Sequence, residues 1–145
     1  MPPDPFVIFL DENHCNNRRL LAVLKEAAVR VERHLEHFPA GTPDEVWLPS
    51  VGKNGWVLLT TDSRIRYRAN EKRAVKEHGV RMFYFSTNQL SGQQMANAIE
   101  KALPRIQRIF AKQEPPYCAA ITRSGEVYLR ETFSESSKDV EDSEL

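Results

Sequence analysis

No apolar run in this chain approaches the roughly eighteen residues that a membrane-crossing helix requires. The opening Met-Pro-Pro-Asp-Pro has neither the basic stretch nor the apolar stretch of a signal peptide. No membrane partner is expected, and the predicted address is cytoplasmic. Cysteine is scarce: Cys15 and Cys118 lie far apart and without metal-ligand spacing, which argues against a zinc site and against a disulfide framework. Both are expected to be small buried residues. Net charge is missing too, with 20 basic residues against 20 acidic ones, and there is no internal repeat.

The zero hides a separation. Between Arg64 and Arg81 lie Arg66, Arg68, Lys72, Arg73 and Lys76, opposed only by Glu71 and Glu77. Beyond Glu131 the sign reverses, with Glu135, Asp139, Glu141, Asp142 and Glu144 against Lys138. This asymmetry predicts a basic working surface and an acidic tail. A chain of 145 residues, 41% hydrophobic and 28% charged, has the length and composition of one soluble domain with one core. The expected division is a domain over residues 1–130 and an acidic, disordered tail over 131–145.

The organising stretch is Val57 to Arg68, V-L-L-T-T-D-S-R-I-R-Y-R. Val57, Leu58, Leu59 and Thr60 run without a polar break, as a strand covered on both faces does. Phe6 to Leu10 (F-V-I-F-L) and Val80 to Phe85 (V-R-M-F-Y-F) read the same way. From Asn16 or Asn17 the period becomes helical, with Leu20, Leu21, Leu24, Ala27 and Ala28 on one side. Val29 to Phe38 reads as a polar, peripheral strand broken by Pro39 and Gly41. Thr42-Pro43-Asp44-Glu45 predicts a helix start in which Thr42 caps, Pro43 is the first helical residue and Glu45 closes a capping box. That helix carries Val46, Trp47, Leu48 and Val51. A basic helix is expected from about Asn70 to His78, and a longer one from Ser91 through Met95, Ala98, Ile99, Ala102, Ile106 and Ile109. Lys101, Arg105, Arg108 and Lys112 form its polar stripe. Two extended runs, Tyr117 to Thr122 and Glu126 to Arg130, flank Ser124-Gly125 as a C-terminal β-hairpin. Strands alternating with helices predict an α/β sandwich around a mostly parallel sheet.

In open parallel sheets, chemistry collects at the carboxyl ends of the strands. Three acidic spots stand out: Asp11 with Glu12 and Asp62 at strand ends, and Asp44 with Glu45 at a helix start. Each has a plain structural alternative. Asp11 or Asn13 can cap the first helix, Asp44 and Glu45 can complement a helix dipole, and Asp62 can cap a turn. For Asp62, with Arg64, Arg66 and Arg68 directly after it, the functional and the capping readings stand about even. Two of the three spots end adjacent buried strands and the third heads the helix leading into one of them, which favours a shared site. Carboxylates forced together need a compensating cation, and hard oxygen ligands suit Mg²⁺ or Mn²⁺.

Four stretches, F-L-D-E-N at Phe9 to Asn13, H-F-P-A-G-T-P-D-E-V-W-L at His37 to Leu48, G-W-V-L-L-T-T-D-S-R-I-R at Gly55 to Arg66 and A-A-I-T-R-S-G at Ala119 to Gly125, resemble PIN-like domains. The nearest branch is the VapC-type toxin ribonucleases. The resemblance implies a PIN-like three-layer sandwich and metal-dependent hydrolysis of RNA, with a cognate antitoxin and a homodimer as partners. It also implies Asp11, Asp44 and Asp62 as ligands of Mg²⁺ or Mn²⁺, with Glu45 among the catalytic acids and Glu12 less certain. Thr60 or Thr61 would orient a carboxylate, and Arg64, Arg66, Arg68, Arg105 and Arg108 would contact RNA phosphates. Tyr67 would stack a base or merely pack. The four histidines, His14, His34, His37 and His78, are read as structural or surface residues. One departure stands out: many PIN domains carry a further acid after the next strand, where this chain has Ser86, Thr87 and Asn88. Asn88 offers a carbonyl and no charge.

Two rivals follow. A phosphoacceptor receiver domain shares the layout of Asp11, Glu12, Asp62 and Thr87, but it would want a lysine where Arg123 stands and would leave Asp44 and Glu45 idle. A non-catalytic PIN-like module that binds RNA or protein is kept alive by the missing acid.

Overall fold

Every residue of β1 (Val7–Leu10), β3 (Val57–Thr60), β4 (Arg81–Phe85) and β5 (Tyr117–Ile121) is buried. Because successive side chains of a strand point to opposite faces, these unbroken apolar runs demand a cover on each side. Ile8, Leu10, Val57, Leu59, Phe83, Phe85, Ala119 and Ile121 join one core cluster, and Phe9, Leu58, Met82, Tyr84, Cys118 and Ala120 join the other. Helices α1 (Arg18–Glu26) and α5 (Gly92–Lys112) cover the first face with Leu20, Leu24, Met95, Ile99 and Ile106. Helices α3 (Asp44–Lys53) and α4 (Ala69–Glu77) cover the second with Trp47, Leu48, Val51, Ala74 and Val75. The computed structural model, which describes residues 5–61, 69–87 and 89–132, is thus a three-layer α/β sandwich. Both cysteines are buried and free, as expected.

The six-stranded sheet has the order β2-β1-β3-β4-β5-β6, where β2 is Arg30–Arg33 and β6 is Val127–Thr132. All neighbours pair parallel except β5 with β6. From β1 the chain goes out to β2 on one side, then returns to β3 on the other. At such a reversal the loops leaving the two strands part, and a crevice opens at their carboxyl ends. Among the described residues no helix is long and apolar enough to cross a membrane.

Local chemistry explains the elements and the departures from expectation. Asn17, rather than Asn16, caps α1, its Oδ1 accepting from Leu20 N at 3.1 Å. Ala27 and Ala28 fall past the end of α1 and are exposed; Ala28 takes the left-handed turn, φ 58°, while Val29 N closes back on Leu24 O. The strand expected over 29–38 ends at Arg33, because β1 ends at its partner Leu10 and the ladder has nothing further to bond. A one-turn helix, α2 (His34–His37), follows and drops His34 among Phe9, Phe38 and Trp47. The expected capping box at Thr42 does not form. Thr42 Oγ1 donates to Pro39 O at 2.6 Å instead, and the helix starts at Asp44 with Pro43 at the cap position and no side-chain cap bond. Val46, counted with the apolar face of that helix, is 54% exposed. A capping box that sequence reasoning did not single out forms at Ser91, reciprocally with Gln94. The C-terminal hairpin turns at Gly125, φ 88°, and β6 continues past Arg130 to Thr132.

Candidate active site

The register Leu10↔Leu59 brings the residues just after it, Asp11 and Thr60, side by side at the carboxyl end of β1 and β3. Thr60 is fully buried and its Oγ1 donates to Asp11 Oδ2 at 2.5 Å. Asp11 is only 5% exposed, so its carboxylate is aimed by the protein and not by water. It opens onto a cleft of about 150 Å³ lined by Asp11, Glu12, Asn13, Thr42, Asp44, Trp47 and Thr60. Asp44 arrives from the first turn of α3, where the helix dipole favours its negative charge. Trp47, one turn further along, is buried against Phe9 and forms the apolar wall.

Glu12 plays a scaffolding part. Its Oε1 accepts from Gly41 N at 2.8 Å, tying the loop after β1 to the loop that leads into α3. Gly41 makes this possible with a left-handed φ of 81°. Glu45 is exposed and does not line the cleft. The structure therefore brings together Asp11, Asp44, Glu12 and Thr60 of the residues singled out from the sequence. Asp62, Arg64, Arg66, Tyr67, Arg68 and Asn88 lie outside the described residues. Ser86 and Thr87 follow β4, the first exposed and the second half-buried.

Arg105 and Arg108 are exposed on α5, on its half remote from the cleft. Phe110 of α5 packs edge-on against Phe6, ring centroids 5.2 Å apart, and lies 4.8 Å beneath the Arg81 guanidinium. Phe6 precedes β1 and Arg81 opens β4, so the last turns of α5 sit at the amino ends of the strands. Its first turn is at the other end, where Asn17 Nδ2 donates to Gly92 O.

Sequence reasoning gives His14 no part in a site, yet the structure places it beside Asp11, just behind the residues that line the cleft. Its Nε2 stands 2.5 Å from Thr61 Oγ1 and 4.0 Å from Asp11 Oδ1. Burial pushes the imidazole pKa below its ordinary 6.5, which leaves the ring neutral at pH 7. The only signal available beforehand is its place three residues after Asp11. His34 is a true structural histidine: it is fully buried, and its ring nitrogens have no hydrogen-bond partner among the described residues.

Asp11 and Asp44 offer hard oxygen donors in a polar cleft, a donor set that fits Mg²⁺ or Mn²⁺, which bind through one or two carboxylates and keep several waters. Among the described residues no group of three or more His, Cys, Asp and Glu side chains is close enough to form a complete protein cage. A family model described as "PIN like domain" matches residues 6–87, more than half of the chain. That span runs from the start of β1 through β4 and contains every residue that lines the cleft. Neither the curated proteins nor the solved structures gave a match.

Proposed function

The chain belongs to the PIN-like domain family, whose members are commonly nucleases, and from that premise we propose that it is a metal-dependent endoribonuclease, the toxin of a toxin–antitoxin pair. The observation that carries this reading is the convergence of Asp11 and Asp44 from separate elements on one cleft at the sheet's reversal point. Asp11, Asp44 and Asp62 would hold Mg²⁺ or Mn²⁺. The chemistry such an ion supplies is an attacking water of lowered pKa and positive charge opposite the developing phosphorane.

The chain's own residues do the rest. Thr60 fixes one oxygen of Asp11, Glu12 anchors the Gly41 loop that presents Thr42 and Asp44, and Trp47 supplies an apolar wall. Glu45, exposed in the same helical turn as Asp44, is left to act on RNA arriving from solvent. Arg64, Arg66, Arg68, Arg105 and Arg108 supply phosphate contacts that give affinity without sequence choice. Attack by water would leave a 5′-phosphate on one product. The antitoxin would cover the acidic cleft, and the toxin would work in the cytoplasm as a homodimer.

The test is cleavage of a mixed RNA pool with Mn²⁺, Mg²⁺ or EDTA by the full chain and by Asp11→Asn, Asp44→Asn and Asp62→Asn. Metal-dependent cleavage that each substitution abolishes is expected. Cleavage that persists in EDTA would sink the reading. A second reading, a PIN-like module that binds RNA or protein without cutting, is favoured by Ser86, Thr87 and Asn88, which stand where the family resemblance implies a further acid. Tight RNA binding with no cleavage under any metal would select it.

A further inference from the structure

The loop after β1 and the threonine pair that ends β3 meet twice. Thr60 Oγ1 donates to Asp11 Oδ2, and the next residue, Thr61, sets its Oγ1 2.5 Å from His14 Nε2. The second contact joins segments 47 residues apart in the chain. The loop backbone leaves the imidazole little choice of position. His14 N and Cys15 N both donate to Asp11 O, at 3.1 and 2.9 Å, and Asn17 N donates to His14 O at 3.1 Å before Asn17 caps α1. Cys15 is fully buried directly beside it. His14 is thus held from both sides by a turn built on Asp11 itself, with its side chain 13% exposed and its Nε2 approaching the carboxylate oxygen that Thr60 does not hold.

We propose that His14 is a positioning residue for the cleft: through Thr61 it fixes the end of β3 against the loop after β1, and so sets the Asp11 carboxylate for its ligand. The proposal rests on the nuclease reading of the cleft. A bond that only stitched two segments together would contribute to stability alone, whereas one that aims a ligand also governs what the carboxylate binds. Outer-sphere partners of this kind are worth about ten- to hundredfold in metal affinity or activity.

The experiment uses the full chain and its variants His14→Leu, His14→Gln, Thr61→Val and Thr61→Ser. For each, Mn²⁺ binding is measured by calorimetry, kcat and KM on RNA by cleavage, and Tm by thermal unfolding. His14→Leu and Thr61→Val should each weaken Mn²⁺ binding by about ten- to hundredfold and lower kcat at little change in KM. The double variant should be no worse than either alone, because both remove the same bond. His14→Gln and Thr61→Ser, which keep a polar partner, should retain most of the affinity. If Tm falls while Mn²⁺ affinity and kcat hold, the bond is a stitch and the proposal is overturned. Should His14→Leu fail to fold, the Thr61→Val and Thr61→Ser pair decides from the other end of the bond. A wild-type chain that neither binds Mn²⁺ nor cleaves RNA would bring down the nuclease reading and this assignment with it. A wild type that does both, matched by the Leu and Val variants, would bring down the assignment alone.

Discussion

Replacing Thr60 by valine keeps the branched shape of a fully buried side chain and removes only the hydroxyl that donates to Asp11 Oδ2. A hydrogen bond to a charged group contributes about 1.5–3 kcal/mol. Thr60→Val should therefore lower unfolding stability by about that amount, read from urea denaturation, and reduce cleavage further than the stability loss accounts for. His14 provides a second check at this scale. Because burial depresses its pKa, the folded state disfavours the protonated ring. Its contribution to stability is complete above the ordinary value of 6.5 and is lost as pH falls from 6.5 through the depressed folded value. The imidazole resonances of the folded chain should titrate with a midpoint below 6.5. A midpoint at or above that value would mean that the ring is more hydrated, or closer to negative charge, than its burial implies.

Helix α3 delivers Asp44, and its placement depends on a close approach to the end of α4. A Cβ added to Gly52 would stand 2.0 Å from His78 O and 2.8 Å from His78 C, both backbone atoms that cannot swing aside. Gly52→Ala should cost about 1–3 kcal/mol by overpacking. It should also reduce metal-dependent cleavage per folded molecule, since pushing α3 outward moves Asp44 at its other end. Full activity in the folded fraction would show that α3 tolerates the shift. Elements such as β3, β4 and α5 are legible because their apolar pattern is continuous or strictly helical. Helix α2 is not, since it exists only because β1 runs out of residues to pair. The Thr42 box fails because the helix begins at Asp44 with Pro43 at the cap position, which leaves Thr42 one residue too early to cap, its hydroxyl donating to Pro39 O in the loop before it. Of the site, Asp11, Asp44 and Thr60 could be read as strand-end and helix-head residues. His14 could not, because its partner is fixed by the register of β1 against β3 and no local spacing encodes that.

Across the whole molecule, the cleft lies at the carboxyl ends of the strands, while Arg105 and Arg108 lie on the half of α5 that reaches their amino ends. If RNA extends from one to the other, the arginines serve affinity and not chemistry. Arg105→Ser with Arg108→Ser should weaken RNA binding and flatten its salt dependence by about 0.7 in the log–log slope for each phosphate no longer neutralised. At saturating RNA, kcat should be unchanged. A lower kcat at saturation would place these residues in the machinery of the reaction, and an unchanged slope would remove them from the RNA path.

The span matched by the family model, residues 6–87, stops before α5, β5 and β6. It contains the cleft, yet α5 supplies much of the cover over Leu59, Phe83 and Phe85. What is inherited as a signature and what folds as a body are consequently different lengths of chain. A ribosome that has released the first 87 residues has produced all of the lining side chains while α5, which packs over Leu59, Phe83 and Phe85, is still to come, so the cleft is complete as a set of residues before it is complete as a packed body.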